Sequence, residues 1–185
     1  ELHIMKKMNQ TGIGLVEVIV ALLLLSIGVL GFSMLQIRAM EASLDASKRI
    51  QAMNLARDLS ERMRANKQGL SKFTVGEDDN EKIVDAYTNA LDGKYYLTSY
   101  SAQCANTSKC TSAEFAEEDV NQILFRANTL GMKVAVNDCP GADTNRNCVF
   151  VAWGETNPVD GSSDTSCTKE GSFLSSSKCI VLEAY

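Results

Sequence analysis

The sequence predicts an α+β fold: a long N-terminal α-helix, membrane-spanning in its first half, packs on a small antiparallel β-sheet and precedes a disulfide-bonded C-terminal region. Three observations lead to this prediction. Residues 18–35 contain no charged side chain. Apolar residues then recur at helical spacing as far as residue 63. All six cysteines follow residue 100, among β-branched runs and turn residues.

The uncharged run at residues 18–35 is the first element. At about 1.5 Å rise per residue, a helix of this length reaches the lower limit for spanning a bilayer. Lys6 and Lys7 precede the run, and basic residues favour the cytoplasmic side of a membrane. The sequence therefore predicts that everything after Leu35 lies outside the cytoplasm, where disulfides can form.

An ordinary cleavable secretory signal is the alternative, because it also joins a basic start to an apolar stretch. The run is longer than such a core, no Ala-x-Ala site follows it, and Glu17 stands at its entrance. A carboxylate costs about 3 kcal/mol at the centre of a bilayer. We therefore expect a charged partner for Glu17, unless this residue lies solvated among the lipid headgroups.

The helix is predicted to continue to about Asn66, because no proline interrupts it. Two apolar sets lie at helical spacing, first Ile37, Met40 and Leu44, and then Ala52, Leu55, Ala56, Leu59 and Met63. The opposite, polar face carries Arg38, Asp45, Lys48, Arg57, Glu61 and Arg64.

Shorter elements are expected after the long helix. Residues 69–80 are typical of a loop, 81–91 of a short helix and 94–102 of a strand. A capping box at Thr111 and Glu114 predicts a helix that runs to Leu130 and stops at Gly131. Its expected buried residues are Phe115, Val120, Ile123, Leu124 and Ala127.

Three β-branched or aromatic runs, 132–136, 149–153 and 180–184, complete an expected antiparallel sheet of about four strands. Pro140-Gly141 and residues 158–163 mark turns between them. Trp153 is expected in the core or on a sheet face rather than as a binding anchor.

The cysteines are Cys104, Cys110, Cys139, Cys148, Cys167 and Cys179. An even number in an exported, polar region predicts disulfides. Structural zinc is disfavoured, because no Cys-x-x-Cys pair occurs and the one histidine, His3, precedes the apolar run. Many pairings are open in principle. The sequence-adjacent set, which closes three short loops, is the one we expect.

Several function classes find little support in the sequence. A net charge of -5 argues against nucleic acid as a ligand. The region after Leu35 has no histidine and no Gly-x-Ser-x-Gly motif, so no enzyme and no cofactor are expected. Asp143, Asn145 and Asn147 have the spacing that opens a calcium loop, but the glycine and the closing glutamate are missing. We expect a polar turn there and no metal.

The string from Gly12 to Glu17, followed by a long apolar helix, resembles the type IV pilin and pseudopilin signature. The resemblance implies that a prepilin peptidase cuts between Gly12 and Ile13 and methylates the new amino terminus on Ile13. It also implies an assembly role for Glu17, whose carboxylate would match the freed amine of a neighbouring subunit and set the register between subunits. The family's first mature residue is more often Phe than Ile.

Three further stretches resemble the minor pilin family PilV: residues 16–22, residues 26–36 and, most specifically, Glu61 to Asn66. Weaker echoes occur at Ala116-x-x-Asp119 and at residues 151–153. This resemblance implies a structural role in a tip-priming complex of the type IV pilus, which supports pilus biogenesis, adhesion and twitching motility. The implied partners are other minor pilins, the major pilin, the prepilin peptidase, the inner-membrane assembly platform and a tip adhesin.

The sequence patterns and the resemblance together give the expected organisation and location. Residues 1–12 form a leader, 13–35 the membrane and assembly helix, 36–66 its amphipathic continuation, and 67–185 a periplasmic head. Residues 1–4 precede Met5 and are set aside as a cloning remnant or a misplaced start. The chain would sit in the inner membrane before assembly and at the pilus tip afterwards. The alternatives are a minor pseudopilin of type II secretion and a single-pass periplasmic binding protein.

Overall fold

The structure is a computed structural model of the chain, and it describes residues 14–76, 82–104, 109–140 and 146–184. The chain separates into two compact units between Asp45 and Ala46. Each unit is described by itself.

Helix α1, Leu15–Ala65, is 51 residues long. It begins where the backbone N–H groups of Glu17 and Val18 bond to the carbonyl of Gly14. It ends one residue before the predicted limit, because Asn66 instead opens a single 3₁₀ turn, Lys67–Leu70, by accepting the N–H of Gly69. The helix is long and apolar enough, by length and composition, to cross a membrane.

The two apolar sets of α1 differ in burial. The second set is confirmed as core, since its members are at most 2 % exposed: Ala52, Leu55, Ala56, Leu59 and Met63. The first set, Ile37, Met40 and Leu44, remains more than half exposed. In the head unit, the buried set packs in one core with the other helices and with one face of the main sheet.

The region predicted as a loop followed by a helix contains an antiparallel hairpin. Strand β1, Phe73–Val75, pairs with β2, Lys82–Val84, so the predicted helix over 81–91 is wrong in its first part. Helix α2 covers only Ala86–Leu91. It starts there because Asp85 caps it: its carboxylate accepts the N–H of Thr88, and the Thr88 hydroxyl accepts the N–H of Asp85.

The strand predicted over residues 94–102 is also wrong. Tyr95 accepts the backbone N–H of Val134 at 2.9 Å, while Leu97 donates its backbone N–H to Leu124 of a helix at 3.3 Å. A strand requires repeated bonds to one neighbour, whereas this segment crosses from a strand to a helix.

Helix α3, Ser112–Thr129, begins at the predicted capping box of Thr111 and Glu114. The chain turns away at Gly131, where φ is 66°. Val120, Ile123, Leu124 and Ala127 are buried as predicted. Phe115 is the exception at 46 % exposure, and Ala116 is buried in its place, because Ala116 lies four residues before Val120 on the same helix face.

Among the described residues the main sheet is antiparallel and has three strands, where about four were expected; the second strand in chain order lies between the other two. Its strands are β3, Met132–Asp138, β4, Asn147–Trp153, and β8, Cys179–Glu183. Alternate residues of β4 face opposite sides: Val149, Val151 and Trp153 join the helical core, which confirms the prediction for Trp153. Cys148, Phe150 and Ala152 join a second, smaller core.

A further small sheet holds β5, Asn157–Asp160, β6, Ser166–Lys169, and β7, Ser172–Phe173. β5 and β6 are parallel, and β6 and β7 are antiparallel. The turn predicted over residues 158–163 therefore starts inside a strand. Cys167 of β6 belongs to the smaller core, which joins this sheet to the second face of β4. The architecture is a type IV pilin-like α+β fold, as the sequence predicts.

Candidate functional site

Glu17 is the acidic residue in the first turn of α1. A negative charge at this end of a helix is favoured by the unpaired N–H groups there. Glu17 is exposed, and within the described residues it forms no ion pair. Gly12 and Ile13, the predicted cleavage and methylation positions, lie outside the described residues.

The first half of α1 presents apolar side chains on every face. Leucines, isoleucines and valines between Leu15 and Leu35 are 47 to 78 % exposed. The hydroxyls of Ser26 and Ser33 donate to the carbonyls of Leu23 and Val29 in the same helix, so neither requires water. Such a surface is stable only in lipid or against other apolar surfaces.

Gly28 and Gly31 leave two recesses on this surface. Apart from the two adjacent residues and the nearby backbone of the same helix, no atom of the described residues lies within 4 Å of a methyl group added at either position. The open space is the geometry that allows another helix to approach closely.

The head contains three disulfides, which join Cys104 to Cys110, Cys139 to Cys148 and Cys167 to Cys179. This is the sequence-adjacent pairing. Cys148, Cys167 and Cys179 are at most 5 % exposed and line the smaller core between β4, β6 and β8. The bridge from Cys167 to Cys179 therefore fastens β6 to β8 of the main sheet. The bridge from Cys139 to Cys148 joins the residue after β3 to β4 within that sheet.

A polar network joins α1, α2 and α3. The guanidinium of Arg62 donates to Asp58 at 2.9 Å, to Asp119 at 2.8 Å and to Gln122 at 2.9 Å. The hydroxyl of Tyr87, on α2, donates to Asp119 at 3.0 Å or to the carbonyl of Arg62 at 3.1 Å. Burial, and then the Asp119 carboxylate, raise the pKa of Tyr87, so this residue stays a neutral donor.

Glu118 is a second polar residue in the interior, 7 % exposed. Its carboxylate accepts the Tyr100 hydroxyl, the backbone N–H of Gln103 at 3.1 Å and the Gln122 amide at 3.3 Å. Burial alone acts to raise the pKa of Glu118, but these hydrogen bonds outweigh it and hold the pKa below its usual value. Sequence reasoning missed Glu118, because one donor, Tyr100, lies in the segment that was assigned to a strand, and another, Gln103, follows that segment directly.

The proposed polar turn contributes a structural contact. The Asn147 amide donates to the buried Asp85 carboxylate at 2.9 Å, which ties the start of β4 to the cap of α2. Asp143 and Asn145 lie outside the described residues. Across the described ranges, no three or more His, Cys, Asp or Glu side chains are grouped to hold a metal ion.

Two family models match the chain, one directly after the other. The prokaryotic N-terminal methylation motif matches residues 7–33, and the family Type IV pilin Tt1218 matches residues 34–121. No curated protein matches the chain, nor does any solved structure.

The first match contains Gly12, Ile13 and Glu17 together with most of the exposed apolar half of α1. The second contains the rest of α1, all of α2 and the first part of α3, including Arg62 and Asp119. The pilin family is one of structural proteins rather than enzymes. With the fold, the two matches support a member of the type IV pilin superfamily, that is, a pilin or a pseudopilin.

Proposed function

We propose that this chain is a minor pilin of the type IV pilus, similar to the PilV family, and that it acts in the complex that primes the pilus tip. The observation that carries the proposal is α1: its first half is uncharged beyond Glu17, exposes apolar side chains on every face and coincides with the N-terminal methylation motif. This surface suits lipid first and a bundle of pilin helices afterwards.

Glu17 has a specific task in this proposal. Cleavage between Gly12 and Ile13 creates a cationic amine at Ile13, four residues before the carboxylate. In a helical bundle of low dielectric constant, that amine attracts the Glu17 carboxylate of an adjacent subunit strongly. Since an unpaired charge in such a bundle is costly, the pair sets the axial register of neighbouring subunits more than it adds net stability.

The remaining assignments follow from the same proposal. The chain is held in the inner membrane with its head in the periplasm until the assembly platform moves it into a pilus. Its partners are the prepilin peptidase, the other minor pilins, the major pilin and a tip adhesin. The three disulfides suit an oxidising periplasm.

Two experiments test the proposal. Mass spectrometry of the protein from its native cell envelope should show a chain that begins with methylated Ile13; an intact leader or a cut beyond residue 30 contradicts the pilin role. Deletion of the gene should reduce pilus number and twitching. Normal values of both would exclude the priming role while leaving the processing result intact.

A minor pseudopilin of type II secretion is the second candidate, because the N-terminal methylation motif fits it equally well. A secretion assay on the deletion strain separates the two. Loss of secreted enzymes with normal pili favours the pseudopilin, and loss of pili with normal secretion favours the pilin.

A further inference from the structure

A narrow groove of about 190 Å³ lies in the head beside strand β3. Its lining includes residues 135–138 of β3, residues 82–84 of β2 and residues at both ends of α2. β3 is an outer strand of the main sheet, and β2 is an outer strand of the two-stranded sheet. An outer strand of each sheet therefore borders the groove.

The backbone of β3 alternates between its neighbour β4 and this groove. The N–H of Cys139 points to the β4 side, where it bonds to Arg146, whereas the N–H of Val134 points outward to Tyr95. In an antiparallel pair, successive residues point to opposite sides. The N–H and C=O groups of Val136 and Asp138 are thus directed away from β4.

The outward positions differ in their partners. The carbonyl of Tyr95 accepts the outward N–H of Val134. The outward N–H of Val136, by contrast, has no backbone acceptor among the described residues. Val136 is 4 % exposed, so a partner has to enter the groove to reach its backbone. An outer strand with unpaired N–H and C=O groups is a template for another extended chain.

The side chains that line the groove give its charge preference. Lys82 pairs with Asp92 at 3.8 Å. Lys72 and Asp138 also line the groove, and in the part of the chain that the structure describes neither has an ion-pair partner. One cation and one anion suit a polypeptide that carries both charges, rather than a phosphate-rich ligand. Ile83, 69 % exposed, offers an apolar contact beside them.

We propose that this groove binds an extended segment of a second polypeptide chain, which adds as a strand between β2 and β3. Its backbone pairs with the outward groups of Val136 and Asp138, a carboxylate of the segment contacts Lys72, and a basic side chain contacts Asp138. Addition of a strand at a sheet edge takes its affinity from main-chain hydrogen bonds. This site is independent of α1, so it extends the proposed function from the helix to the head.

The test uses the full chain in detergent micelles and two synthetic peptides, Lys-Thr-Val-Thr-Val-Thr-Glu and Glu-Thr-Val-Thr-Val-Thr-Lys, because either strand direction is compatible with the groove. Amide hydrogen exchange at Val136 is followed by NMR. One of the peptides should slow exchange of the Val136 N–H about tenfold at saturation. The same peptide with N-methylated backbone nitrogens should have no effect.

A charge variant tests the proposed contacts. Asp138→Lys should weaken binding of the effective peptide about threefold, as for an exposed ion pair. Asp164→Lys is the matched control, since Asp164 is exposed in the same head and does not line the groove. It should leave binding unchanged.

Three results would overturn the proposal: no change at Val136 with either peptide, equal protection by the N-methylated peptide, or equal weakening by the two charge variants. Full protection of Val136 without peptide would also overturn it, because a segment of this chain would then already cover the edge. None of these results bears on pilus assembly through α1, so the two proposals fail separately.

Discussion

Arg62 of α1 donates through Nη1 to the Asp119 carboxylate of α3 at 2.8 Å. The two residues lie 57 positions apart in sequence, and both fall within residues 34–121, which match the type IV pilin Tt1218 family model. Met63 and Ala116 beside them are fully buried. In this chain Arg62 and Asp119 hold α3 against α1, so their role is to stabilise the head rather than to recognise a partner.

Removal of one member of this ion pair should destabilise the head. Asp119→Ala leaves the half-buried Arg62 with Asp58 as its one carboxylate and deprives Tyr87 of an acceptor. We expect a loss of about 2 kcal/mol in the free energy of unfolding, measured by chemical denaturation of the full chain in detergent. The exposed pair of Lys82 and Asp92 is the control, and Asp92→Ala should cost less than about 0.5 kcal/mol. Equal losses would contradict a structural role for the Arg62 network.

The pH dependence of stability should contain a contribution from Glu118. Its pKa is lowered in the folded head, so the folded state binds this proton less readily than the unfolded state. The contribution is therefore fully present above the unfolded pKa of about 4.3 and is lost as the pH falls through the lower folded value. Glu118→Gln should flatten the acid limb of the stability curve, measured by thermal unfolding between about pH 2 and 6.

The matched control for this measurement is Glu117→Gln, because Glu117 is exposed on the same helix. It should leave the acid limb unchanged. Tyr100→Phe, which removes one donor to Glu118, should move the acid limb in the same direction as Glu118→Gln but by less. A curve that Glu118→Gln leaves unchanged would show that other carboxylates dominate acid unfolding.

The buried disulfide between Cys167 and Cys179 should matter more for stability than the half-buried one between Cys104 and Cys110. Replacing Cys167 and Cys179 together by Ala opens a bridge that closes a separation of 12 residues in the smaller core, with an expected loss of about 3 kcal/mol. The same change at Cys104 and Cys110, separated by 6 residues, should cost less, because a shorter loop restrains the unfolded chain less. Denaturation midpoints of the two double variants provide the comparison, and a reversed order would contradict it.

Glu17→Ala should separate processing from assembly. In the proposed processing the peptidase acts between Gly12 and Ile13, so cleavage of this variant should remain near the wild-type level. Incorporation into sheared pili should fall about tenfold, because the neighbour's amine then lies unpaired among apolar helices. Quantitative immunoblots of membrane and pilus fractions measure both effects. Glu41→Ala, at an exposed position of the same helix, should incorporate normally; equal loss in both variants would remove the register argument.

Patterns within short stretches of sequence allowed several features to be predicted. The uncharged run is long enough to span a bilayer as a helix, and the stripe from Ala52 to Met63 has the periodicity of a helix. The capping box at Thr111 and Glu114 lies within one turn. The three runs of the main sheet are rich in β-branched residues. In each of these cases the interaction that decides the structure lies within a few residues, or depends on burial that periodicity reveals.

The remaining features depended on residues that are distant in sequence. The side chains around Tyr95 and Leu97 alternate as in a strand. The backbone of Tyr95 nevertheless bonds to β3 and that of Leu97 to α3, because these partners come close only in the packed head. The roles of Glu118, Arg62 and Asp119 could not be predicted, because folding brings their donors and acceptors together from distant parts of the chain. Burial of apolar side chains is not directional, so the pattern of apolar residues along the sequence is enough to predict it. Hydrogen bonds and ion pairs between distant residues require specific distances and angles, which are set only when the elements pack together.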